Sequence, residues 1–161
     1  MIGIAGSGKT TLARRLGEAL GAPVYDLDRV VYDRVTGERP AEEILRRMDE
    51  IGAGQRWVTE GGYRDAWLAA LLADADVIVW LDVPFATCAT RMIKRHLRAE
   101  MAGSNQHPGW GKLMRFLKYT RTTAARQRRE TAELLRPYAS KVERCRSSRE
   151  VDALWRSLCA T

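Results

Sequence analysis

Cysteine, histidine and long apolar runs are all scarce in this chain, and each shortage removes a class of protein. Cys88, Cys145 and Cys159 are odd in number and widely scattered, with no C-x-x-C pair. That removes a disulfide-stapled scaffold and leaves three reduced thiols. His96 and His107 are the only histidines, so a histidine-cysteine metal centre is not expected. No stretch reaches the roughly 18 apolar residues of a membrane span, and the first residues do not read as a secretory signal. The protein is therefore expected in the cytoplasm. Acidic residues are short in one region only: residues 91–149 hold 16 Lys and Arg against 4 Glu, a net +12, although the whole chain is only +7. Such a segment can be a nucleic-acid face, a solvated helix surface or a clamp for phosphates.

What is present begins almost at once. The stretch "GIAGSGKTT", Gly3 to Thr11, fills every position of the pattern G-x-x-x-x-G-K-[ST]. Glycines at 3, 6 and 8 allow backbone angles closed to other residues, so successive N–H groups turn toward one anion. The loop runs into "KTTLARRLGEAL", where Leu12, Leu16 and Leu20 recur at helical spacing. The anion then lies over the unsatisfied amides of a helix N-terminus. The expected ligand is a nucleoside triphosphate, ATP or GTP, touching Gly3, Gly6, Ser7, Gly8, Lys9, Thr10 and Thr11. Lys9 reaches the outer phosphates, and the Thr10 hydroxyl coordinates Mg2+. A plain glycine turn before a helix is the competing reading, and it does not require Lys9 and Thr10. Only Met1 and Ile2 precede Gly3 where the pattern wants a buried strand. Either the strand is a stub continued by Ile4 or further residues precede it.

Strand and helix patterns alternate along the rest of the chain. "PVYDLD" reads as a short strand ending in two acids, and "RPAEEILRRMDEIGAG" as a helix opened by Pro40. "RWVTEGGY" reads as a buried strand, "RDAWLAALLADA" as a helix, and "DVIVWLDVP" as the clearest strand. Long helices follow from about Phe85 to Met101 and from about Lys112 to Leu135, separated by the polar break "AGSNQHPGWG". "KVERCR" is expected as an outer strand and "REVDALWRSL" as a closing helix. Alternation implies an α/β chain with a central parallel sheet and helices on both faces. At 161 residues, with no linker or repeat, one domain spanning 1–161 is expected, with a lid region at about 91–129.

On "GSGKTTLARRLGEAL", "VYDLD", "WVTEGGY", "VIVWLDVP" with "RMIKR", and "RETAELL", the chain resembles the adenylate-kinase-like branch of P-loop kinases. Within that branch it is similar to the small bacterial topology modulation protein-like nucleotide kinases. The resemblance runs from Gly3 to about Leu158 and implies the three-layer P-loop NTPase fold with a basic helical lid. Members usually carry Asp and Asn where this chain has Glu60 and Gly62.

Phosphoryl transfer asks a protein for positioning and charge stabilisation, so few parts are needed. Asp26 and Asp28 end the second predicted strand, at the sheet edge where open α/β proteins bind ligands. Resemblance to small-molecule kinases such as shikimate and gluconate kinase implies a substrate contact or proton acceptor there, with Asp28 preferred. The alternative is a helix cap before "RVVYD". Glu60 can hold a magnesium-bound water, and Gly61 and Gly62 let substrate approach the backbone; a simple strand-to-helix turn is the alternative. Asp82 is expected to be structural, capping the helix after Pro84. Arg91 and Arg95 share one helix face. Their spacing resembles the R-x-x-x-R of nucleotide kinases, which implies that Arg91 stacks on the base and Arg95 meets phosphate. Of the arginines in "RTTAARQRR", Arg126 and Arg128 are candidates to close over the transferring group. Lys94, Arg98, Lys112 and Lys118 are expected on the surface.

The function expected from these residues is transfer of the γ-phosphoryl group to a small acceptor, with no membrane partner. That acceptor is a nucleoside monophosphate or a small-molecule hydroxyl, including a nucleoside-like antibiotic. A nucleotide-regulated DNA-binding protein is the alternative. It is not favoured, because the basic segment holds a kinase-like lid and no DNA-reading motif. The oligomeric state is left open.

Overall fold

In the computed structural model of this chain, residues 1–103 and 109–159 are described. The centre is decided by apolar continuity. "IVWL" forms strand β6, Ile78–Leu81, with all four residues buried. Val79 and Leu81 face one core with Leu12, Leu16, Cys88 and Met92, and Ile78 and Trp80 face another with Ile2 and Leu135. A strand covered on both sides needs no polar alternation, which is why it reads as an unbroken apolar run.

The other strands are β1 (Ile2–Gly3), β2 (Val24–Asp26), β3 (Tyr32–Asp33), β4 (Gly37–Glu38), β5 (Val58–Glu60) and β7 (Val142–Cys145). β1 and β7 pair in parallel with the two edges of β6, and β2 pairs in parallel with β5. A parallel bridge between Ile2 and Gly61 joins the two ladders, giving the order β2-β5-β1-β6-β7. The stub β1 therefore sits at the middle. Met1 extends its pairing, because the Gly61 N–H donates to Met1 O at 3.1 Å.

Helices α1 (Lys9–Leu20), α2 (Leu27–Val31), α3 (Ala41–Gly52), α4 (Ala69–Asp74), α5 (Phe85–Met101), α6 (Trp110–Leu135) and α7 (Ser148–Cys159) complete the chain. Leu12 and Leu16 are buried as their spacing predicts, each contributing about 1.5–3 kcal/mol by burial, while Leu20 reaches the surface at the end of α1. Gly21 closes α1 in the left-handed region at φ 59°.

Three expectations need correction. The predicted second strand stops at Asp26, and Asp28 lies in the first turn of α2, because the Asp26 side chain accepts from the Asp28 N–H at 3.0 Å and starts a helix there. The β3–β4 hairpin was not anticipated. Its turn is held by Asp33 Oδ1, which accepts from the N–H groups of Val35 and Thr36 at 2.8 and 3.2 Å. Asp82 does not cap α5, whose N-cap is Pro84 without a side-chain bond. It binds arginines instead. The break expected at 102–111 falls largely on residues 104–108, with His107 among them, outside the described residues.

Candidate active site

Strands β1, β2 and β5 deliver their C-terminal ends to one edge of the sheet, and the chemistry collects there. After Gly3 the chain turns through Gly6 (φ 77°) and Gly8 (φ 105°), both in the region that favours glycine. The second of these is the residue that caps α1. Ser7 is buried and its hydroxyl has no hydrogen-bond partner among the described residues, so the loop interior holds a polar group ready for one. The Lys9 ammonium donates back to Gly3 O at 2.9 Å and Ile4 O at 3.2 Å. Burial pushes its pKa down, while the Glu60 and Asp28 carboxylates oppose that shift. Loop, β5 end and α2 start thus converge on the same ammonium.

The closest contact in the site joins residues 50 apart: the Thr10 hydroxyl donates to Glu60 Oε1 at 2.6 Å. Glu60 is buried at the end of β5. A hydroxyl and a carboxylate side by side beneath a phosphate loop are two hard oxygen donors, the set that fits a magnesium ion sharing its shell with phosphates and water. Thr10 and Glu60, named separately as magnesium-site candidates, are thus neighbours in space.

Asp28 is exposed at the rim. Burial holds the Tyr63 phenol well above its usual range, and the neighbouring Asp28 carboxylate reinforces the shift, so Tyr63 stays protonated beside that carboxylate. Tyr63 and Arg64 were not anticipated, although both directly follow Gly61 and Gly62. The half-buried Arg64 guanidinium donates to Thr131 Oγ1 at 2.8 Å, Gln127 O at 3.1 Å and Gly62 O at 2.7 Å. It fastens the turn after β5 to α6. A groove of about 850 Å³ opens beside it, lined by Gly62, Tyr63, Arg64, Tyr119 and Arg126.

The basic residues divide. Arg91 donates to Ser7 O at 2.7 Å and, through its other terminal nitrogen, to Ser148 Oγ at 2.8 Å. It therefore ties the phosphate loop to the start of α7, and Ser148 is a partner that no sequence motif marked. Arg95 is exposed, one turn along α5, and makes no hydrogen bond or ion pair with the described residues. Arg126 reaches Glu130 at 3.5 Å on the surface of α6. Arg128, expected over the transferring group, instead donates to Asp82 Oδ1 at 2.6 Å. Arg144 binds the other oxygen of Asp82 at 2.6 Å and lies over the Trp80 ring, 4.1 Å from its centroid. The buried Asp82 is thereby a clasp between α6 and β7.

A phosphate loop at the end of a central parallel strand, with a paired hydroxyl and carboxylate beneath it, defines the class: a P-loop small-molecule kinase, a phosphotransferase. Comparison with known proteins gives the family. Residues 5–53 match the shikimate kinase family. The shikimate kinase of Gloeobacter violaceus is 32% identical over 122 residues, covering 66% of this chain and 68% of that protein. Those of Mycobacterium ulcerans and Mycobacterium marinum are each 27% identical over 168 residues, covering 89% of this chain and 88% of theirs. The chain belongs to the shikimate kinase family.

Proposed function

We propose that this chain moves the γ-phosphoryl group of ATP to a hydroxyl of a small acceptor seated between Asp28, Tyr63 and Gly62. The observation that carries this reading is the 2.6 Å contact of Thr10 with Glu60, set beside the Lys9 ammonium that also feels Asp28. Mg2+ held by Thr10 and Glu60 would neutralise charge on the phosphates. Lys9 leaves its two carbonyl partners for the β- and γ-phosphates, and the loop amides, with Ser7, hold the rest of the donor. Asp28 accepts the acceptor's hydroxyl proton as its oxygen bonds to phosphorus and the bond to the β-phosphate oxygen breaks, releasing ADP. Tyr63 fixes the orientation of Asp28. Arg91 lies at the edge of the loop, where the base would stack. Arg95 and Arg126, unengaged or weakly engaged, are the cations free to close over the transferring group. The whole chain acts as one domain, with residues 91–129 as its lid.

The acceptor divides the readings. The relatives' activity as shikimate kinases makes shikimate the first compound to try. The resemblance to topology modulation protein-like nucleotide kinases favours a nucleoside monophosphate, for which no general base is required. A nucleoside-like antibiotic is a third class, and GTP is the alternative donor. ADP or GDP release in the presence of shikimate, nucleoside monophosphates or amino-alcohol compounds tests all of them. Acceptor-dependent release that disappears in Lys9→Ala supports the proposal. Turnover retained by folded Lys9→Ala sinks it.

A further inference from the structure

From Met101 to Arg129 the chain contains no Asp or Glu. Helix α6 begins inside that span, and its first three turns bury only a stripe of Leu113, Leu117 and Thr120. The remaining surface of these turns carries Lys112, Arg115, Lys118 and Arg121, all exposed. Among the described residues none of these four forms an ion pair. Aromatic side chains stand between them: Trp110 is 55%, Phe116 42% and Tyr119 57% exposed. Lys112 and Phe116 are four residues apart, as are Arg115 and Tyr119, so two of the four cations share a face with an aromatic ring.

This interleaving separates the possible partners. A helix that lies on an anionic membrane segregates its apolar face from its basic face, and here the two kinds of side chain are mixed around the same exposed arc. An acidic protein surface would satisfy the cations and leave the rings in water. A single nucleic-acid strand offers both a phosphate for each cation and an unstacked base for each ring, and basic tracks with aromatic platforms are how proteins bind such strands without sequence preference. We propose that the first three turns of α6 form a docking surface for single-stranded nucleic acid, separate from the phosphate loop and meeting the groove beside Arg64 only at Tyr119.

The test is fluorescence anisotropy of a labelled oligothymidylate of about 20 nucleotides with the full chain, across salt from about 50 to 200 mM. Four engaged cations predict a roughly fifty-fold loss of affinity over that range. Lys112→Ala combined with Lys118→Ala should lower the log–log salt slope by about 1.4. Tyr119→Ala should cost about five-fold or more at every salt concentration, with the slope unchanged. These side chains are exposed, so the variants keep the fold, which circular dichroism checks. The proposal is overturned by no binding at the lowest salt, or by equal affinity for duplex together with indifference to Tyr119→Ala. It also falls if polyglutamate of matched charge displaces the strand as well as unlabelled strand does, if phosphatidylglycerol vesicles bind in its place, or if ATP displaces it from the phosphate loop.

Discussion

The corner where α1 meets β5 and the first turns of α6 are both polar, yet they are built in opposite ways. At the corner, Lys9 is half-buried and Glu60 buried, and both are hydrogen-bonded in place, Glu60 by the exposed Thr10 hydroxyl at the start of α1. On α6, Lys112, Arg115, Lys118 and Arg121 stand in solvent and bind nothing among the described residues. Charge that must act on one atom needs a fixed position and exclusion of water, because only there is electrostatic stabilisation large. Charge that gathers a flexible polyanion needs number and reach. The first arrangement concentrates effect in single residues, and the second spreads it over many.

The largest effect should therefore come from the corner. Lys9→Ala and Glu60→Gln are each expected to lower kcat by at least about a hundred-fold, as loss of one preorganised electrostatic group does. The purified variants' thermal transitions should remain cooperative. A Glu60→Gln enzyme with normal turnover and normal Mg2+ dependence would dissolve the contrast between the two regions.

Asp28→Asn follows. If the acceptor is a hydroxyl, kcat at saturating acceptor should fall about 10²–10⁴-fold while ATP affinity holds, since asparagine copies the shape and not the proton affinity. For a phosphate acceptor, the loss should appear mainly in KM for the acceptor. The same titration on Tyr63→Phe checks the link between them, with a smaller loss expected because only the orientation of Asp28 is relaxed.

Next is the clasp. Asp82→Ala leaves Arg128 and Arg144 without their shared counter-ion and should destabilise the chain by about 2 kcal/mol, less than a fully buried pair because both arginines are partly solvated. Urea unfolding measures it. Arg128→Ala should be milder, since Arg144 keeps Asp82 paired.

Smaller again is the start of α7. Ser147 Oγ accepts from the Glu150 N–H at 3.2 Å, and Glu150 accepts from Ser147 Oγ at 3.0 Å and from the Arg146 N–H at 2.8 Å, so the two side chains together cap the helix start. Ser147→Ala should cost about 1 kcal/mol. The backbone bond from Arg146 holds the Glu150 carboxyl below its ordinary 4.5. Its contribution is thus fully present above that pH and lost as pH falls through the lower folded value. Acid titration of wild type against Glu150→Gln should show this increment only in the wild type. At the bottom of the scale, Lys118→Ala and Arg121→Ala should change stability by less than about 0.5 kcal/mol, because they touch nothing the fold needs.

Local order made part of this protein legible in its sequence. The phosphate loop, the α1 C-cap at Gly21, the buried run Ile78–Leu81 and the long α5 are all encoded by residues close together, where spacing and backbone preference suffice. Thr10 and Glu60 could each be named as candidates for the same reason, as ends of recognisable elements. What the sequence could not decide was which distant groups meet. Resemblance favours Asp28 over Asp26 in "VYDLD", but only the onset of α2 makes Asp26 the cap and leaves Asp28 at the rim beside Tyr63. Asp82 reads as a helix cap until α6 and β7 bring two guanidinium groups to it. Arg64 and Ser148 carry no motif at all. Their partners lie 63 to 67 and 57 residues away in the chain, so their roles arise only when β5 places its turn against α6 and β7 leads α7 to the phosphate loop. Periodicity and backbone preference act over a few residues, whereas these pairings are chosen by the packing of whole elements on a parallel sheet.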